Sequence, residues 1–230
     1  MIQSDREKAK EAYKTLQGKE KLEYIWNYYK WAIIGGFLAL LFIAWSINHY
    51  IINPPKKDSL AIGAVSSRYL DLMNEELPNT LNLMLPTLSD KRNQITVYDL
   101  LMTNDADQNS YYNGQRMVMM IAAESLDVLI GDEEIMKAIG QGGYLLNLDG
   151  FLKEEERAAY DTVQVEVTTA TDELGRVTGS EGPYPLLLRI GTNKLLKEKF
   201  GSQELYLGVV GNAPHQEAIH ELLAYFMTLE

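Results

Sequence analysis

The sequence predicts a membrane-anchored α/β protein, with a single N-terminal transmembrane helix followed by one three-layer α/β domain. Three observations carry that expectation. The stretch Trp31–Trp45, WAIIGGFLALLFIAW, has no polar side chain, and SINHYII extends it to Ile52. Beyond it, short apolar runs alternate with helical periodicities, the pattern of a parallel α/β unit. The charge divides at the same place, with nine Lys and Arg against five Asp and Glu up to Lys57, then twelve against twenty-seven.

About 22 residues of helix rise roughly 33 Å, enough for a hydrocarbon core of about 30 Å. Pro54-Pro55 ends the helix, because proline lacks a backbone donor and restricts the residue before it. Tyr24, Trp26, Tyr28, Tyr29 and Trp31 bracket the span on one side, Trp45 and Tyr50 on the other, as amphipathic rings do at headgroup level. Trp31, Trp45 and Tyr50 are the expected interfacial anchors, and Gly35-Gly36 permits close approach of a neighbouring helix. Arg6, Lys8, Lys10, Lys14, Lys19, Lys21 and Lys30 precede the span, and Lys56 and Lys57 follow it closely. That bias places the N-terminus in the cytoplasm and the C-terminal domain outside.

The expected organisation is a charged helical leader at 1–30, the membrane helix at 31–52, a linker at 53–59 and an extracytoplasmic domain at 60–230. Ser4 and Glu7 match a capping box that opens the leader helix. LAIGAVSS gives a first strand. A helix over Arg68–Leu85 carries Leu70, Met73, Leu77 and Leu81 on one side, is interrupted by Pro78 and is stopped by Pro86. Ile95–Leu101 is a second strand, NDADQNS a loop, and Tyr111–Glu124 a helix with Met117, Met120 and Ile121 inward. Leu126–Ile130 is a third strand, after which Asp132 caps a brief helix. Strand, helix, strand, helix, strand in that order implies parallel, right-handed crossovers. A charged helix around Leu152–Tyr160 follows, then the alternating strand VQVEVTT, a turn at Asp172–Gly175 and the strand PLLLRIG. TNKLLKEKF is read as a helix, ELYLGVVG as a strand, and a last helix reaches about Thr228.

The segment ESLDVLIGDEEIMKAIGQGGYLLNLDGFL resembles extracellular solute-binding proteins of the type II periplasmic-binding fold, and ELYLGVVGNAPHQEAIHELLAYFM is similar to that family's closing strand and helix. The resemblance covers Leu60–Leu152 and Glu204–Met227. It implies one lobe of such a fold and a binding role. The departure is equally informative: solute carriers of this type hold ligand between two lobes, whereas here a short strand-rich insert replaces most of a second lobe.

No cysteine is present, which excludes disulfides, thiolate nucleophiles and thiolate metal sites. The acidic outer domain would repel phosphate backbones, so nucleic acid is not an expected partner. His215 and His220 are five apart, not the four of a paired zinc motif, and read as surface side chains. Asp105, Asp107 and Asn109 open like a calcium loop, but Ser110 and Arg116 stand where glycine and a bidentate glutamate belong. Asp132-Glu133-Glu134 and Glu154-Glu155-Glu156 sit at helix starts, where the dipole favours acids. No catalytic, metal or cofactor set is therefore assigned. Tyr111, Tyr112, Asn113, Tyr144 and Tyr184 are the candidate ligand contacts, since aromatic and amide groups near strand ends suit recognition. The expected function is a non-enzymatic binding protein, anchored in the lipid bilayer through Trp31–Ile52 and contacting a membrane or cell-envelope protein. Solute capture for an import system is the first alternative, and an Asp/Glu-dependent envelope hydrolase the second.

Overall fold

A computed structural model of the chain describes residues 17–66, 70–102, 108–171, 177–190 and 204–228, with backbone alone for Tyr24, Tyr28, Ser66 and 70–76. The Ser4–Glu7 capping box, Asp105 and Asp107, the Asp172–Gly175 turn and the TNKLLKEKF helix lie outside the described residues. The chain divides into two compact units, Met1–Pro55 and Lys56–Glu230.

In the first unit, helix α1 spans Lys19–Ile47 and continues into a π-helical turn at Asn48–Ile52. Tyr29–Ile52 is long and apolar enough to cross a membrane, and none of it is buried. Helix α1 begins twelve residues before Trp31, so the apolar span is the later part of a longer rod. At its end, Trp45 stacks on His49 with ring centroids 5.2 Å apart, and Tyr50 meets His49 edge-on at 4.8 Å. The Asn53 N–H donates to the Asn48 carbonyl at 2.8 Å, closing the last turn ahead of the prolines.

The second unit is a mixed α/β domain built on one six-stranded sheet. Its elements are β1 Lys57–Ser66, α2 Leu70–Met84, β2 Asn93–Met102, α3 Gln108–Ala122, β3 Val128–Gly131 and α4 Glu133–Gln141. A 3-10 turn at Leu148–Gly150 leads to α5 Glu154–Ala159, β4 Thr162–Thr171, β5 Val177–Arg189, β6 Tyr206–Val209 and α6 Gln216–Met227. Strand order is β2-β1-β3-β6-β5-β4. As the sequence pattern implies, β1 runs parallel to both β2 and β3. Strands β6, β5 and β4 then add antiparallel pairings. The strand-rich insert therefore extends the same sheet.

The path β1 to β2 and then back across to β3 reverses direction, so right-handed crossovers set α2 and α3 on opposite faces. Ile62, Val128 and Leu207 share one face by register, and Gly63, Leu129 and Gly208 the other. Met136 of α4 packs on the second face. A Cβ on Gly208 would lie 2.7 Å from a Leu145 methyl and 3.0 Å from the Met136 methyl, so glycine is required there for close packing. The core is continuous and apolar, with Leu60, Ile62, Leu81, Leu129, Ile130, Leu207 and Phe226 fully buried.

Two local expectations change. The linker is shorter than 53–59, because β1 already pairs from Lys57. Helix α2 runs through Pro78 without a break. Proline's fixed φ is helical, so what it removes is one donor, and Asn82 reinforces the turn by donating to the Pro78 carbonyl at 2.7 Å.

Candidate interaction surface

Helix α3, QNSYYNGQRMVMMIA, carries Arg116 as its sole charged residue. Its inner stripe is ordinary: Met117 is buried, Met120 and Ile121 pack against the core, and the Asn113 side-chain amide donates to the Leu101 carbonyl at 2.8 Å. The outer stripe is not. Tyr111, Gln115, Val118 and Met119 recur at the spacing of one helical face, and Tyr112 flanks them. Tyr111 and Met119 are each 64% exposed and Tyr112 55%. An exposed helix face normally bears charge, so an aromatic and methionine stripe without any is the informative departure.

Ser110, Tyr111, Gly114, Gln115, Val118 and Met119 line a shallow apolar depression, open to solvent and formed by this one helix. Its tyrosines are pre-set. The Gln115 amide donates to the Tyr111 hydroxyl at 2.7 Å, the Gln108 amide to Tyr112 at 3.1 Å, and the two rings meet edge-on with centroids 6.0 Å apart. Side chains already fixed lose less freedom on binding. The exposed Arg116 side chain turns toward β2, reaching the Asp99 carbonyl at 3.3 Å and lying over the Tyr98 ring.

Of the five candidate contacts, Tyr111 and Tyr112 stand together on the outside of α3, and Asn113 anchors the helix from within. Tyr144 and Tyr184 are half-buried against the core. Tyr184 belongs to β5, four strands from β2, roughly 19 Å away at ordinary strand spacing. The five do not form one pocket.

Two buried carboxylates, Asp127 and Glu156, pair with histidines in a way the sequence did not anticipate. Asp127 is fully buried; it accepts from the Ala61 N–H at 2.7 Å and the His215 N–H at 2.9 Å, with His215 Nδ1 3.1 Å away. It thereby joins β1, the start of β3 and the start of α6. Glu156, also buried, accepts from the Lys153 N–H at 2.9 Å and pairs with His220 Nδ1 at 2.7 Å. His220 stacks on Phe151 at 4.5 Å. It is therefore a largely buried, paired side chain, not the surface residue expected; His215 keeps part of its ring in solvent. The available signal was an acid between Leu126 and Val128 within an apolar run, since unpaired acids are almost never fully buried.

The acidic runs behave as helix starts. Asp132 accepts from the Ile135 N–H at 3.1 Å, and Glu133 pairs with Lys137 at 2.7 Å, which holds its carboxyl below the usual range. The Tyr206 hydroxyl lies 2.8 Å from Glu204 and 3.1 Å from Glu133. Burial, with those two carboxylates, pushes its pKa up to about 12, so the phenol remains a donor. Neither carboxylate borders the depression on α3. Among the described residues, no group of three or more His, Asp and Glu is arranged to hold a metal ion.

Compared with protein-family models, curated proteins and solved structures, the chain matches none.

Proposed function

We propose that this chain is a membrane-anchored, extracytoplasmic binding protein whose domain contacts a protein partner of the cell envelope through the outer face of α3. Support comes from one observation: an exposed, uncharged stripe of Tyr111, Tyr112, Val118 and Met119 in a strongly acidic domain. Tyrosine and methionine are enriched where proteins meet, and lysine and acids are depleted there. Small-molecule sites enclose most of their ligand. A depression lined by a single helix favours a partner side chain over a captured solute, and among the described residues no carboxylate pair borders it to serve a hydrolase. The family resemblance and the lysine-rich segment ahead of the anchor support the one-lobed, outward-facing arrangement.

The test is a photo-crosslinking residue at Met119 in the full chain, expressed in its native membranes, with Glu134 as the control position. A protein adduct at Met119 that disappears when Tyr111→Ala is added supports the reading. Recovery of monomer alone from both positions would end it.

A further inference from the structure

A second surface lies at the end of the sheet where the chain enters the domain. Strands β1 and β2 run parallel with Lys57 and Asn93 as register partners, so both begin at one end, and β3 joins β1 further along, from Ile62. Helix α2 runs back against them and finishes at that same end. Its last turn leaves Leu83 75% exposed and Met84 52% exposed. The loop that follows brings Lys91 and Arg92 to the start of β2, where the Lys57 N–H donates to the Arg92 carbonyl at 2.7 Å. Lys56, Lys57, Lys91 and Arg92 are all exposed, and none forms a salt bridge with a described residue.

The charge here inverts that of the domain. Acids outnumber cations more than two to one beyond Lys57, yet among the described residues this end sets four cations against three acids, Asp58, Asp90 and Glu221. All three are engaged: Asp58 accepts from Thr96 at 2.5 Å and from Tyr98, Asp90 accepts from the Arg92 and Asn93 N–H groups at 2.6 and 2.7 Å, and Glu221 accepts from Thr87 at 2.5 Å. Basic side chains beside exposed leucine and methionine form the pattern of a surface that lies on anionic lipid, with cations at the headgroups and apolar side chains at the acyl boundary. Only Asn53–Lys56 separates the apolar helix from β1.

We infer that this end of the domain docks on anionic phospholipid headgroups through Lys56, Lys57, Lys91 and Arg92, with Leu83 and Met84 entering the interface. Docking would fix the domain's attitude on the bilayer and so decide where the α3 stripe is presented. The inference does not rest on that stripe having a partner.

The chain's lack of cysteine makes the test direct. Full-length protein carrying Leu83→Cys, labelled with a polarity-sensitive fluorophore, is reconstituted into nanodiscs of phosphatidylcholine alone or mixed with phosphatidylglycerol. With phosphatidylglycerol the label should shift to the blue and be quenched by brominated lipid. Both effects should be lost at high salt and in a Lys56→Gln, Lys57→Gln, Lys91→Gln, Arg92→Gln variant. The same label at Glu134→Cys, at the opposite end of the sheet, should respond to neither lipid. A Leu83 label that stays water-exposed in both membranes, or a Glu134 label quenched equally, overturns the inference. Circular dichroism of the variant matching the parent separates lost docking from lost folding.

Discussion

Asp127 shows how one carboxylate can organise a domain. Its oxygens take backbone donors from two distant segments at a place water does not reach. Asp127→Ala would leave the Ala61 and His215 N–H groups without acceptors, and each buried donor left unsatisfied typically costs about 1–3 kcal/mol. A fall of that size in the free energy of urea unfolding is expected; a loss below about 1 kcal/mol would show that these bonds do not form. The tyrosines give a pH prediction. Burial, reinforced by Asp58, pushes Tyr98 up to about 12, and Tyr206 stands there as well. A raised folded-state value means their contribution is complete below pH 10 and is lost as pH rises toward about 12. Stability measured by thermal melting should decline over that window, and Tyr98→Phe with Tyr206→Phe should flatten the decline. Asp90 and Glu133 run the other way. Backbone N–H groups hold the first low and Lys137 the second, so their small, solvent-screened contributions are present at neutral pH and fade as pH falls below the carboxylate range.

Helix α3 has two faces with opposite expected costs. Met117 is buried, and truncating it to alanine should destabilise the domain by about 2–5 kcal/mol. Met119→Ala and Tyr111→Ala, on the outer face, should change stability by no more than about 0.5 kcal/mol. Thermal unfolding of the three variants distinguishes the faces, and equal losses would show that the outer stripe is covered within the chain itself. The same helix explains what a sequence can reveal. Its inward residues follow from a 3.6-residue period, so Met117, Met120 and Ile121 were legible, and so were the parallel strands β1, β2 and β3, whose apolar runs are local. The antiparallel half was harder. Nothing near ELYLGVVG in sequence specifies that it inserts between β3 and β5, because register between distant strands is decided by packing across the whole sheet. The interaction stripe was half legible: Tyr111 and Tyr112 stood out by type, but their separation from Tyr144 and Tyr184 depends on strand order.

For the whole molecule, the cation bias around the apolar helix leads to an expected topology. In intact cells, a membrane-impermeant maleimide should label Glu134→Cys and spare Lys19→Cys until the membrane is opened. The reverse pattern would invert the orientation and leave the positive-inside argument without force here. The order of the sheet carries another consequence. Strand β6 lies between β3 and β5 but is synthesised after both, so the β3 edge has no partner until the last strand of the sheet has emerged. Until then the early parallel strands expose an apolar edge, a template for pairing with other chains. On the outward-facing arrangement proposed above, export of this domain would be a race between completion of synthesis and misassembly at the membrane, and holding factors on the far side should affect its yield more than its final stability.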